Sequence, residues 1–236
     1  MLVHNPFFGN GKGLDLHVRT QHMLDGTYSF VSNASVRIGS DVLEVVSTGQ
    51  HLFNGIEGAQ LPLQLSGNPV TKNVEEICRD SNGKKNCSYM MNFDVTLGNK
   101  DQIRIKVASN MVHVDVKGTH ENFSGSTGLM GTYPAKHHGK ISRDGINYIQ
   151  DSDKFAEEWQ VFETEAKLFQ ESRYPQHPEK CIPAIKARNL RSDKVKSQQR
   201  NKAEEACAHV RGPEWEFCVF DVLATGDYGM ATTIYG

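Results

Sequence analysis

The chain has 236 residues, 38% of them hydrophobic, which is enough to bury a sizeable core, and a formal net charge of -2 that gives no global basic field for nucleic acid or an anionic membrane. No apolar run approaches the roughly 18 residues of a membrane-spanning helix. The opening Met1–Lys12 has neither the basic start nor the apolar stretch of a secretion signal, and the entry MLVHNPFFGNGKG has no helix cap or clean strand start, as expected of a fragment of a longer protein. The glycines of GNGKG lead into strand-like sequence, so no helix N-terminus awaits a phosphate there.

From Gly13 to Gly118 the hydrophobic period is two. GLDLHVRT sets Leu14, Leu16 and Val18 against Asp15, His17 and Arg19, and DQIRIKVAS and MVHVDVKG repeat the scheme through Ile103, Ile105, Val107, Val112, Val114 and Val116. Between them TYSFVSNASVRIG, DVLEVVSTG, HLFNG, LPLQLSG and SYMMNFDVTLG predict further strands, with turns at Asn54-Gly55, Asn68-Pro69 and Gly98-Asn99. The expected fold is mainly β, an antiparallel β-sandwich or rolled sheet.

After Tyr148 the pattern changes. DSDKFAEEWQVFETEAKLFQES places Phe155, Trp159, Phe162, Ala166 and Phe169 at helical intervals behind an N-cap at Asp151 or Ser152, predicting an amphipathic helix that closes the sheet. The β domain is therefore drawn over 1–172. A linker over 173–200 holds YPQHPEKCIP and most of the run KARNLRSDKVKSQQRNK, whose seven basic residues against one acid suit either a solvated segment or a phosphate or sulfated-polysaccharide contact. Residues 201–236 form a small helical segment, AEEACAHV and onward, with a core too small to dispense with a staple.

The five cysteines are Cys78, Cys87, Cys181, Cys207 and Cys218. Cys78 and Cys87 bracket RDSNGKKN, whose Asn82-Gly83 favours a hairpin turn that brings the sulfurs within bridging distance; chance placement of thiols is the alternative. Cys207 and Cys218 are the second expected pair, which leaves Cys181 as a free or intermolecular thiol and a route to a homo-oligomer. No zinc spacing occurs.

Catalytic signatures are missing: there is no nucleophile elbow, P-loop or dinucleotide fingerprint, and the adjacent His137 and His138 would point to opposite faces of a strand. The oxygen ligands Asp144, Asn147, Asp151 and Asp153 fit no EF-hand spacing. Asn33, Asn86 and Asn122 begin glycosylation sequons; Asn33 and Asn122 are the candidates, since Asn86 adjoins a half-cystine.

The order GLDLHVRT, ASVRIGSDVLEV, HLFNG, LPLQL, IRIKV, MVHVDV, FSGSTGLMGTYP, DGINY and FAEEWQVF, from about Gly13 to Phe169, resembles the von Willebrand factor type D domain, and ACAHVRGPEWEFCVFDVLATGD looks like the cysteine-containing segment that often follows it. Gly128, Leu129, Met130, Gly131 and Thr132 stand where the family shows Gly-Leu-Cys-Gly-Asn. On that resemblance the glycines serve a tight reversal, Leu129 is buried, and Met130 fills the volume of the family's thiol without forming its bridge. The family's calcium loop is not matched, because TYPAKHHG supplies no carboxylate, and no cofactor is expected; the chain also lacks the Asp-Pro bond cleaved in some members. The resemblance implies a non-catalytic module of a secreted or cell-surface protein that contacts extracellular proteins or matrix glycans. A glycan- or lipid-binding module is the alternative.

Overall fold

The computed structural model describes the chain except for residues 23–28, 82–83, 99–100, 133–139, 163, 166–167, 171–192, 213 and 236. The first half of the β region is an antiparallel meander: β1 (Val3–Asn5), β2 (Leu14–His22), β3 (Ser29–Ile38), β4 (Asp41–Val46), β5 (His51–Phe53) and β6 (Ile56–Glu57), side by side in chain order. Between β1 and β2 lies α1 (Phe8–Gly11), a single irregular turn with Gly9 and Asn10 at φ 58° and 60°. The second half is another meander, β7 (Leu63–Leu65), β8 (Asn68–Ser81), β9 (Lys84–Thr96), β10 (Gln102–Ala108) and β11 (Met111–Lys117), again in chain order.

Alternation explains how the two sheets meet. Leu14, Leu16, Val36, Ile38, Leu43 and Val45 of the first sheet and Val70, Phe93, Val95, Ile103 and Ile105 of the second are all fully buried in one core. At about 1.5–3 kcal/mol per buried side chain, this core is the main source of stability. Three hairpins close with both turn residues at positive φ, at Asn54-Gly55, Ser66-Gly67 and Ser109-Asn110, a geometry whose twist matches paired strands. The turn expected at Asn68-Pro69 is thus displaced to Ser66-Gly67, and Pro69 lies in β8 opposite Gln64, near the strand's start where a missing N–H is tolerated. The turns expected at Asn82-Gly83 and Gly98-Asn99 fall wholly or partly outside the described residues.

The outward face of the first sheet is polar in sequence yet covered in the structure. Asp15, His17, Asn33, Ser35 and Glu44 are each less than 10% exposed. Leu168, Phe169 and Gln170 lie against this face: Ser35 donates to the Leu168 carbonyl at 3.1 Å, Glu44 accepts from the Gln170 amide at 2.9 Å, and the Arg19 guanidinium stacks 4.7 Å from the Phe169 ring. α2 (His120–Phe123) follows β11 and buries Phe123 in the core, and α3 (Ser152–Glu158) is capped by Asp151, which accepts from the amides of Asp153 and Lys154. The long helix expected through Phe169 stops at Glu158. Arg143 takes the carbonyls that a continuing helix would use, donating from Nε to Glu158 at 2.5 Å and from its other end to Gln160, while Trp159 Nε1 donates to Ile141 at 3.1 Å. Phe155 and Trp159 are buried as their spacing predicts, but Phe162 is exposed and Leu168 is the buried residue further on.

The C-terminal segment holds α4 (Asp193–Ala206), α5 (Glu214–Thr225) and α6 (Met230–Thr233). Residues 193–200, expected as linker, belong to α4, and the rest of that linker, 173–192, lies outside the described residues. These helices share their core with the second sheet: Ala203, Cys207, Cys218, Val219, Val222 and Met230 pack with Met90, Ala108 and Met111. Ser109 Oγ donates to Asp227 at 2.7 Å and Lys106 Nζ to the Ile234 carbonyl at 3.4 Å, fixing the helices to the β10–β11 end of the sheet.

Candidate functional site

β8 and β9 run past the rest of their sheet. β10 leaves β9 at Met91 and β7 leaves β8 at Val70, so from Glu75 to Met90 the two strands pair only with each other and form a two-stranded arm. A two-stranded ribbon is weak on its own. Cys78 stands directly opposite Cys87, their Cα atoms 4.0 Å apart, and the two are joined by a disulfide. One face of the arm turns Ile77 and Met90 toward the C-terminal helices. The other carries the disulfide with Val74 and Tyr89, which are 53% and 60% exposed, and Tyr89 Oη donates to Glu76 at 2.9 Å, holding the ring in place. The sequence marked the two cysteines and the hairpin turn between them; it did not mark how far β8 runs, because seven of the eleven residues of VTKNVEEICRD are polar and the apolar ones do not alternate.

The second disulfide, Cys207–Cys218, joins α5 to the turn after α4, with both cysteines fully buried. Cys181, the candidate free or intermolecular thiol, lies outside the described residues, as do His137 and His138.

The glycine-rich stretch continues the first sheet beyond β1. Thr127 bridges to His4, and the Leu129 and Met130 amides donate to the carbonyls of Met1 and Leu2 at 3.3 and 3.2 Å. Gly128 has φ 144°, and a Cβ there would lie 2.1 Å from the Leu2 carbonyl oxygen, so close approach of two backbones is what requires glycine. Gly131, at φ 93°, closes a turn by donating to the Gly128 carbonyl at 2.9 Å. Leu129 is half-buried. Met130, expected to fill the space of a buried thiol, is instead 53% exposed, because a residue that pairs with β1 through its backbone here directs its side chain to solvent.

Neither glycosylation candidate suits a glycan in the fold. The amide of Asn33 is buried and donates to Glu44 at 2.8 Å. Both N–H bonds of Asn122 are engaged, one to the Leu97 carbonyl at 3.1 Å and one to Asp101 at 2.6 Å, and a glycan would replace one of them. The oxygen-rich loop likewise serves local structure. Backbone N–H groups of Asn147 and Ile146 hold the Asp144 carboxyl below its usual range, and Asp151 is the helix cap. Among the described residues, the His, Cys, Asp and Glu side chains close enough to share an ion are Glu76, Cys78 and Cys87, and two of these are bonded to each other.

Two buried histidines were not singled out from sequence. His17 on β2 and His113 on β11 each have an Nε2 that is buried without a hydrogen-bond partner, and burial lowers both pKa values, that of His17 to about 4. Both occupy the outward, nominally solvent-facing positions of their strands; only the cover over those faces makes them buried. Close to His17, Asp15 is held below the usual carboxylate range despite its burial by hydrogen bonds from His4 at 2.6 Å and from Arg37 Nε at 2.8 Å. Among the described residues, neither Nε2 is hydrogen-bonded to a nucleophile or an acid. No protein-family model and no curated protein matches the chain.

Proposed function

We propose that the chain is a non-catalytic extracellular module, of the von Willebrand factor type D kind, that holds other extracellular proteins or matrix glycans through the outer face of the β8–β9 arm. The observation that carries this reading is an aliphatic and an aromatic side chain, Val74 and Tyr89, presented to solvent on a projecting ribbon that a disulfide keeps rigid. Rigid aromatic anchors lose little conformational entropy on binding, which is why they dominate interface energetics. The two disulfides support an oxidising compartment, and no helix among the described residues is long and apolar enough to cross a membrane.

The test is retention of the purified chain, secreted from a eukaryotic host, on matrix laid down by cultured cells. The double variant Val74→Glu, Tyr89→Ala should be retained about tenfold less than the parent at an unchanged melting temperature, the scale of losing one or two interface anchors. Equal retention would overturn the proposal.

A further inference from the structure

A cleft of about 310 Å³ opens where the two sheets meet α5, between the start of β3 (Phe30, Val31), the edge strand β11 (Met111, Val114) and the helix face bearing Phe220 and Ala224. That is twice the roughly 150 Å³ of an apolar cavity known to accept benzene, and it lies at the lower end of small-ligand sites. The walls are mainly apolar, and four side chains bring polar atoms to them: Ser29, His113, Asp221 and Thr225.

Their partners decide what the cleft can hold. Thr225 Oγ1 donates to the Asp221 carbonyl at 2.7 Å and accepts from the Asp227 amide at 3.1 Å, so it is occupied within its own helix end. The buried Nε2 of His113 has no partner and is closed off from solvent, and its ring serves as wall. Asp221 accepts from Tyr235 Oη at 2.7 Å through one carboxylate oxygen. A carboxylate accepts through two oxygens and carries the charge of this wall; Lys106 on β10 is paired with Asp115 at 2.8 Å, and among the described residues no cation lines the cleft. The charge left to complement is therefore negative, at one end of an apolar slot.

We propose that this cleft binds a small amphiphilic amine, its chain or ring against Phe30, Val31, Val114 and Ala224 and its ammonium group on Asp221. An anionic amphiphile of the same length is disfavoured by the same carboxylate. The proposal goes beyond the docking role of the arm and does not rest on it, since no arm residue lines the cleft.

Displacement of a neutral aromatic fluorescent reporter, N-phenylnaphthylamine, from the full chain at pH 7.5 tests it. Decylamine, decanol and decanoate are compared below their micelle concentrations. Decylamine should displace the reporter at a concentration about tenfold lower than decanoate, the scale of one charge-assisted hydrogen bond, with decanol between them. In Asp221→Asn the gap between amine and carboxylate should shrink to less than about twofold. Ala224→Trp, which fills the cleft, should abolish reporter binding, whereas Phe217→Ala, an exposed site on the same helix that does not line it, should leave binding unchanged. Equal potency of amine and carboxylate in the parent, a gap that survives Asp221→Asn, or a folded parent that binds no reporter would each overturn the proposal. Should Ala224→Trp fail to fold, the order of displacement in the parent and in Asp221→Asn still decides.

Discussion

At Gly128 two effects that favour glycine coincide, and Gly131 three residues later separates them. Both have positive φ, 144° and 93°, but an added Cβ meets the Leu2 carbonyl at 2.1 Å only at Gly128, while at Gly131 nothing lies within 4 Å. An alanine at Gly131 therefore bears backbone strain alone, about 1 kcal/mol. Gly128→Ala adds a backbone clash that must push β1 away from Thr127, and overpacking of this kind costs about a further 1–3 kcal/mol. Urea denaturation of the two variants should place Gly128→Ala well below Gly131→Ala; equal midpoints would mean that β1 gives way without cost. The neighbouring Met130 belongs to the opposite case, with a side chain 53% exposed and no packing role for its volume.

Among the elements, the two disulfides make a natural comparison. They close loops of almost equal length, with sequence separations of 9 and 11, so by chain entropy each stabilises by about 3 kcal/mol. Their surroundings differ: Cys87 is exposed on the arm, whereas Cys207 and Cys218 are at 0% exposure among Ala203, Val219 and Met230. Replacing both cysteines by serine at the helical pair also buries two hydroxyls among apolar side chains, a cost of about 1–3 kcal/mol each where they find no partner. Thermal unfolding of Cys207→Ser, Cys218→Ser should show the larger loss, and Cys78→Ser, Cys87→Ser the smaller; the reverse order would mean that the arm is tied into the main fold more tightly than the helices are. The legible elements were those whose pattern matches a single buried face. β2, β10 and β11 alternate cleanly, and their apolar positions are the core. β8 was hidden because neither face of the arm is a core face along its length, and the end of α3 was hidden because it depends on Arg143, 15 residues before Glu158, reaching the last carbonyls. The Cys78–Cys87 pair was legible from the Asn82-Gly83 turn signal between the two cysteines; the exposed face beside it was not, since exposure of Val74 and Tyr89 follows from where β7 and β10 end.

For the whole molecule, the burial of the polar face of the first sheet sets how the fold responds to acid. Its consequence centres on His17, buried there with an unpartnered Nε2 and a pKa that burial lowers from 6.5 to about 4. Between those two values the unfolded chain holds a proton that the folded chain does not. Stability is therefore full above pH 6.5 and falls as the pH drops toward 4, by roughly 3 kcal/mol at the limit. His113, whose pKa burial also lowers, acts in the same direction. The carboxylates act lower on the scale: Asp15, held below 3.8 in the fold, contributes stability that is present above that value and is lost only beneath it. The two sets of groups thus separate at about pH 4. Urea unfolding of the parent at pH 7.5 and pH 4.5 should show a loss that His17→Phe, a ring of similar size that cannot titrate, reduces by roughly 2–3 kcal/mol while leaving the further loss below pH 4 in place. An identical loss in the parent and in His17→Phe would mean that water reaches the imidazole and that the segment over the sheet opens freely at acid pH, so that the polar face is sealed only near neutrality.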